Sequence, residues 1–211
     1  PASRESHVLR EASAGLTHIW REPALRQLTI GLSMTLLLIG FSETLIFAVT
    51  AAIHHPPSFI GVLETFQGVG AIVGGITAPK LLRRFGDVRL AGIGVAAFAV
   101  GDLLWIVPST PLVLAAAAVA GLGIVWAIVA IATAYQRRSA QEIQGRVAAA
   151  ANMVFSVPQT ISIATGAVLI TLVDFRVEIV AMFVGVAISA VYLLTRGLAE
   201  ATPEASPAVG G

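Results

Sequence analysis

The chain has 211 residues, of which 56% are hydrophobic and 12% are charged, with a formal net charge of +1. Soluble domains carry about 25% charged residues, so this composition excludes an ordinary water-soluble domain and favours an integral membrane protein. The lack of cysteine excludes disulfides, thiolate metal sites and cysteine catalysis.

The N-terminal segment, residues 1–27, is polar and mixed in charge and is not predicted to span a membrane. Its apolar residues recur at helical spacing, at Val8, Leu9, Ala12, Leu16 and Trp20. This pattern predicts a cytoplasmic linker with an amphipathic helix on the membrane surface and Trp20 at headgroup level. A solvated linker is the alternative. A start at Pro1, without a signal peptide, favours a fragment of a longer polypeptide.

Six apolar stretches follow the linker, over residues 28–53, 59–82, 90–107, 112–135, 147–173 and 177–195. About 20 helical residues cross a hydrocarbon core of about 30 Å. Because lipid leaves an open backbone without hydrogen-bond partners, helices are favoured over strands. The sequence therefore predicts an all-α membrane protein with a six-transmembrane-helix bundle over residues 28–196. A disordered cytoplasmic tail is predicted over residues 197–211.

The basic residues are distributed asymmetrically among the predicted connections. If the six helices alternate in direction, 12 of the 13 basic residues fall on one side and Arg176 alone falls on the other. The positive-inside rule makes the richer side cytoplasmic. This places both ends of the segment in the cytoplasm, in a multi-pass protein of the cell inner membrane.

Three stretches together resemble a known family: GLTHIWREPALRQL (15–28), PKLLRRFGDVRL (79–90) and QEIQGRVAAAANM (141–153). Their order and spacing resemble the C-terminal six-helix half of a major facilitator superfamily transporter. The detail is most similar to the bacterial enterobactin-exporter-like branch of drug and siderophore efflux proteins. The resemblance covers residues from about 14 to 196.

The resemblance implies two inverted three-helix repeats. The first and fourth of the six helices then line a central path near the midplane. The second and fifth helices then flank the path, and the third and sixth face outward. The implied function is secondary active transport, as a proton-coupled antiporter that exports small organic molecules by alternating access. The implied partners are the lipid bilayer, the N-terminal six-helix half of the same transporter and a small-molecule substrate, with no nucleic acid.

The cytoplasmic loop motif comprises Arg83, Arg84, Gly86, Asp87 and Arg89. It departs from the family pattern, because Arg83 stands where an aspartate is expected and Asp87 stands where a basic residue is usual. Two interpretations stay open. The loop is either a gating motif with exchanged charges, or a basic loop that only sets orientation.

Glu43 lies in the middle of the first apolar helix, about ten residues and about 15 Å from its outer end. A charged group at the bilayer centre costs about 2.5–3.5 kcal/mol on insertion scales. We therefore expect Glu43 to face the bundle interior or a wet cavity, as part of a substrate or proton path. The alternative is a structural carboxylate bonded to a neighbouring helix.

Glu64 and Gln67 lie one turn apart and share a face of the second helix. They are candidates for the same path, and a carboxylate pair of Glu64 with Glu43 would suit proton binding. Asp102 lies on the third helix, where a packing or snorkelling role is predicted.

Trp126, Asn152 and Gln159 complete the path candidates, because their helices are those that line or flank the path in the resembling family. Gln159 follows Pro158, which should bend the helix and free a backbone carbonyl. Trp126 is equally a candidate for simple packing. Gly70 and Gly74 form a GxxxG pattern, for which close packing inside the bundle is favoured over dimerisation.

The sequence predicts no metal site, no cofactor and no enzyme. His54 and His55 lack a third ligand nearby, and neither HExxH nor Gly-x-Ser-x-Gly occurs. A complete six-helix protein that acts as a homodimer or as a non-transporting membrane scaffold is the alternative to a transporter half.

Overall fold

A computed structural model describes residues 15–169 and 171–201. Within these residues the regular structure is entirely helical, and a 3-10 turn at Pro57–Phe59 precedes the third helix. The helices are α1 (15–21), α2 (Pro23–Ala52), α3 (Ile60–Phe85), α4 (Asp87–Leu104), α5 (Thr110–Arg138), α6 (Gln144–Leu169) and α7 (Phe175–Ala201). The predicted all-α fold is confirmed, and α2 to α7 correspond to the six predicted apolar helices.

The helix ends differ by a few residues from the predicted apolar stretches, and two of these differences lie next to the predicted linker and tail. The first long helix begins at Pro23 because proline is well tolerated in the first turn of a helix. The last helix continues to Ala201, beyond the predicted start of the tail at residue 197. Residues 1–14 and 202–211, which include Val8, Leu9 and Ala12, lie outside the described residues.

Among the described residues, five helical segments are long and apolar enough to cross a membrane: Pro23–Phe41, Pro57–Phe85, Thr110–Arg138, Gln144–Gly166 and Phe175–Gly197. The helix α4 has only 18 residues, and three of them are charged: Asp87, Arg89 and Asp102. Eleven of its residues are buried. Neighbouring helices thus shield α4 from the surroundings, and this allows it to carry charges that a lipid-exposed helix would expose at high cost.

Each of the two predicted three-helix repeats packs mainly against the other repeat. The helix α2 packs against α6 and α7, whereas α5 packs against α3 and α4, and α4 packs against α7. The first helix of each predicted three-helix repeat therefore contacts the second and third helices of the other repeat. This pattern fits the predicted pair of repeats, and it leaves α2 and α5 with few mutual contacts.

The connections lie at two opposite ends of the bundle. One end, here called the basic end, carries the α3–α4 and α5–α6 connections. There Asp87 lies beside Arg137, and the backbone of Gly197 lies against Arg89. At the other end, here called the far end, His55 Nε2 lies 3.2 Å from Thr110 Oγ1.

A sharp turn at the basic end separates α3 from α4. Gly86 ends α3 and has a φ of 76°, a conformation that glycine adopts without the steric cost of a Cβ atom. Asp87 begins α4 directly afterwards, where its negative charge is favourable near the N-terminus of the helix. The turn therefore gives Asp87 a defined position at the start of a buried helix.

Small residues allow the backbones of α3 and α5 to approach closely. Gly70 and Gly74 are buried, and a Cβ atom on Gly70 would collide with the carbonyl oxygen of Ala118. Gly121 on α5 lies in the same way against the carbonyl oxygen of Gln67. The GxxxG pattern thus packs inside the bundle, as predicted.

We predict that Gly70→Ala lowers the stability of the bundle. The added methyl group has no space against Ala118, and such overpacking costs about 1–3 kcal/mol. Thermal unfolding of the purified protein in detergent would measure the change. Gly75→Ala is the matched control on the same helix, because its Cβ would meet nothing within 4 Å. An equal loss in both variants would contradict this packing.

Candidate functional site

A large cavity lies between α2, α5 and α6 and has a volume of about 800 Å³. Its walls are mainly apolar, with Leu36, Ile128 and Phe155 among the lining residues. Its polar lining residues are Tyr135, Gln136, Gln144, Asn152, Ser156 and Gln159. Among the described residues, none that lines this cavity is charged. An apolar cavity with a few polar groups suits an uncharged or amphipathic small molecule.

A hydrogen bond between α2 and α5 positions Tyr135 on the cavity wall. The Thr29 hydroxyl donates to the carbonyl oxygen of Leu25 at 2.6 Å. Because that hydrogen is used, the Tyr135 hydroxyl donates to Thr29 Oγ1, at an oxygen separation of 2.7 Å. The Tyr135 oxygen keeps its lone pairs as acceptors at the basic end of the cavity.

The predicted path residues do not all line the same cavity. Asn152 and Gln159 line the large cavity. Trp126 does not line it, because its indole Nε1 donates to Thr77 Oγ1 at 2.9 Å between α5 and α3. This contact matches the packing alternative for Trp126.

A second, smaller pocket lies where α2, α3 and α4 converge towards the far end. Its volume is about 70 Å³, and it is here called the acidic pocket. Its lining residues are Glu43, Ile46, Glu64, Gln67, Phe98, Asp102, Trp105 and Ala120. The structure therefore brings Glu43, Glu64 and Gln67 together, as the carboxylate-pair hypothesis requires.

Asp102 is the member of this pocket that sequence reasoning placed elsewhere. Its side chain is 2% exposed, and its Oδ2 has no hydrogen-bond partner among the described residues. Trp105 is 8% exposed, and its indole nitrogen likewise has no partner in the part of the chain that the structure describes. In the sequence, the signal for this position is a carboxylate three residues before a tryptophan at the end of an apolar helix. To place Asp102 beside Glu43 and Glu64, the packing order of the helices is also needed.

The acidic pocket does not fit a metal site. Over residues 15–169 and 171–201, no group of three histidine, cysteine, aspartate or glutamate side chains has the geometry to hold a metal ion. The three carboxylates come from three different helices, and Glu43 and Glu64 are exposed whereas Asp102 is buried.

A network of charged groups joins α1, α4 and α5 at the basic end. Asp87 is 8% exposed, and its carboxylate lies 3.8 Å from both Arg137 Nη1 and Arg138 Nε. Arg138 Nη1 also donates to Glu22 Oε1 at 3.1 Å, and the Arg138 carbonyl oxygen lies 3.0 Å from His18 Nε2. Asp87 of the loop motif thus pairs with two arginines at the end of α5.

The other members of the loop motif lie on the surface. Arg83 and Arg84 are exposed, and the guanidinium groups of Arg84 and Arg89 lie 5.3 and 5.4 Å from the ring centre of Phe85. Such contacts contribute about 0.5–1 kcal/mol at exposed sites. Asp87 is therefore the member of the motif whose side chain pairs with charged groups of another helix.

We predict that Arg138→Gln releases α1 from the bundle. The change removes the ion pair with Glu22 and leaves Asp87 with one exposed arginine, at a cost of about 1–2 kcal/mol. Limited digestion with trypsin would then cleave after Arg21 more rapidly. Arg137→Gln is the control, because Arg137 is 62% exposed. Equal cleavage rates in the two variants would contradict the role of Arg138.

Comparison with known proteins identifies a family. A family model described as Major Facilitator Superfamily matches residues 25–210, a range that contains nearly all of α2 and all of α3 to α7. No curated protein and no solved structure matches the chain.

Proposed function

The chain belongs to the major facilitator superfamily, a family of multi-pass membrane transporters rather than enzymes, and on that premise we propose proton-coupled efflux of small organic molecules by alternating access. The cavity between α2, α5 and α6 carries the proposal. Its volume of about 800 Å³ and its uncharged lining suit a neutral or amphipathic substrate. The outward direction is favoured by the resemblance of residues 15–28, 79–90 and 141–153 to the enterobactin-exporter-like branch.

The charge distribution supports a cytoplasmic position for the basic end. Arg89, Arg137 and Arg138 lie together at that end of the bundle. By the positive-inside rule, this supports a cytoplasmic position for both ends of this segment, in a protein that we propose lies in the inner membrane. Tyr135, Gln136 and Gln144 lie on the cavity wall towards the same end, so a substrate would enter from the cytoplasm.

Exposed apolar faces on α3 and α6 support a second six-helix half as the partner. On α3 the exposed residues are Val62, Phe66, Val69, Ile72, Val73 and Ile76. On α6 they include Met153, Val157 and Ile161. An N-terminal half of the same transporter would cover these faces and close the substrate path. A homodimer would instead place two copies of the same face together.

We predict that Ala132→Trp blocks transport by filling the cavity. Ala132 lies on the cavity wall, and a tryptophan there occupies the space that a substrate needs. Uptake of the neutral amphipathic dye Nile red into inverted proteoliposomes under an imposed pH gradient would fall at least about 10-fold, which corresponds to about 1.4 kcal/mol.

The matched control for the filled cavity is Ala181→Trp, at an exposed position on α7 outside the cavity. This variant should retain dye uptake. If both tryptophan variants transported at the same rate as the unchanged protein, the cavity would not be the substrate path.

We also predict that Glu43→Gln removes the pH dependence of transport. Glutamine keeps the size of Glu43 but cannot release a proton, so a carboxylate on the proton path loses its function. Dye transport would be measured across a series of pH gradients in proteoliposomes. An unchanged rate and an unchanged pH dependence would contradict a path role for Glu43.

A further inference from the structure

We propose that the acidic pocket is the proton-binding site of this transporter and that Asp102 is the residue that holds the proton. This inference rests on the proposed function and adds two points to it. It assigns the proton to Asp102 on α4, for which a packing or snorkelling role was expected. It also separates the proton site from the substrate cavity.

The burial of Asp102 carries the first step. A buried ionised carboxylate without a counter-ion is strongly disfavoured, and such a group becomes neutral by binding a proton. Asp102 is 2% exposed, its Oδ2 is without a hydrogen-bond partner among the described residues, and it lines the pocket. Trp105 lines the same pocket with an indole nitrogen that also lacks a partner there.

The charged groups around Asp102 offer no cation to balance it. The facing helices α2 and α3 contribute the carboxylates of Glu43 and Glu64. The adjoining part of α5 contributes Ala120, and the charged residues of α5, Arg137 and Arg138, lie at the basic end. On α7 the far-end charged residues are Arg176, which is exposed, and Glu178, which is buried, and neither lines the pocket. No arginine, lysine or histidine of the described residues lines the pocket.

The size of the pocket favours a proton over a larger ligand. A volume of about 70 Å³ holds one or two water molecules, and an organic cation of drug size needs a pocket of about 300 Å³ or more. The described carboxylates also lack the geometry of a metal site. The proton adds to a carboxylate oxygen of Asp102 and later leaves to water, so no other bond forms or breaks.

Glu43 and Glu64 give the proton a route from solvent to Asp102. Both are exposed carboxylates that line the pocket, whereas Asp102 is enclosed. The helix α3, which carries Glu64, packs mainly on α5 and has few contacts with α2 or α4. A shift of α3 against these two helices would therefore change access to Asp102 without disrupting the α4 packing.

The helices α2 and α5 connect the proton site to the cavity. Ala120 lines the acidic pocket and Ile124 lines the cavity, one helical turn along α5. On α2, Leu36 lines the cavity and Glu43, two turns further along, lines the acidic pocket. A tilt of either helix changes both sites together, so protonation of Asp102 can bias the shape of the cavity.

The test uses Trp105 as a reporter inside the pocket. The chain has three tryptophans, and the changes Trp20→Phe and Trp126→Phe leave Trp105 as its reporter. In the full chain in lipid nanodiscs, the emission of Trp105 should change with pH in one step. Asp102→Asn should abolish this step, and Asp102→Glu should retain it. Glu178→Gln is the control, because Glu178 is also a carboxylate with little exposed surface but lies outside the pocket.

A transport measurement separates this inference from the proposed function. Asp102→Asn should lose Nile red transport driven by a pH gradient and keep dye exchange without a gradient. A pH-dependent change in Trp105 emission that requires Asp102, in a protein that does not transport Nile red, would refute the proposed function but keep the proton site. Persistence of the step in Asp102→Asn, or its loss in Glu178→Gln, would overturn the inference, as would unchanged gradient-driven transport in Asp102→Asn.

Discussion

Close backbone packing of α4 between α5 and α7 is the interaction around which the bundle is arranged. Gly94 on α4 lies against the carbonyl oxygen of Gly123 on α5, and Gly92 lies against Leu194 on α7. Without a hydrophobic driving force between helices in lipid, association depends on such close packing of small residues. Because both faces of α4 are covered in this way, its charged residues are removed from lipid.

Asp87 and Asp102 lie near opposite ends of α4, and their environments differ. At the basic end, Asp87 is compensated by Arg137 and Arg138. Towards the far end, Asp102 has no cationic neighbour lining its pocket in the described residues. A compensated carboxylate stabilises a contact between helices, whereas an uncompensated one is suited to gaining and losing a proton. The two aspartates therefore have distinct physical roles on one helix.

The arrangement also separates substrate chemistry from proton chemistry. The uncharged cavity lies between α2, α5 and α6, and the carboxylates of α2, α3 and α4 lie in a different pocket, to which α5 contributes Ala120. A neutral substrate then does not have to displace a proton from the same atoms. Coupling between the sites requires movement of the shared helices, which is the kind of motion that alternating access involves.

The sequence by itself determined the all-α membrane class, the positions of the six apolar helices and the collection of the arginines at one end. These properties follow from hydropathy, helix length and the alternation of helix direction, all of which are local or additive along the chain. The order in which the helices pack is not local, and only the tertiary structure decided it. That order brought Asp102 to Glu43 and Glu64, paired Asp87 with the end of α5, and bonded Trp126 to Thr77. The physical reason is that each contact joins side chains on different helices, whose separation depends on packing rather than on spacing in the chain.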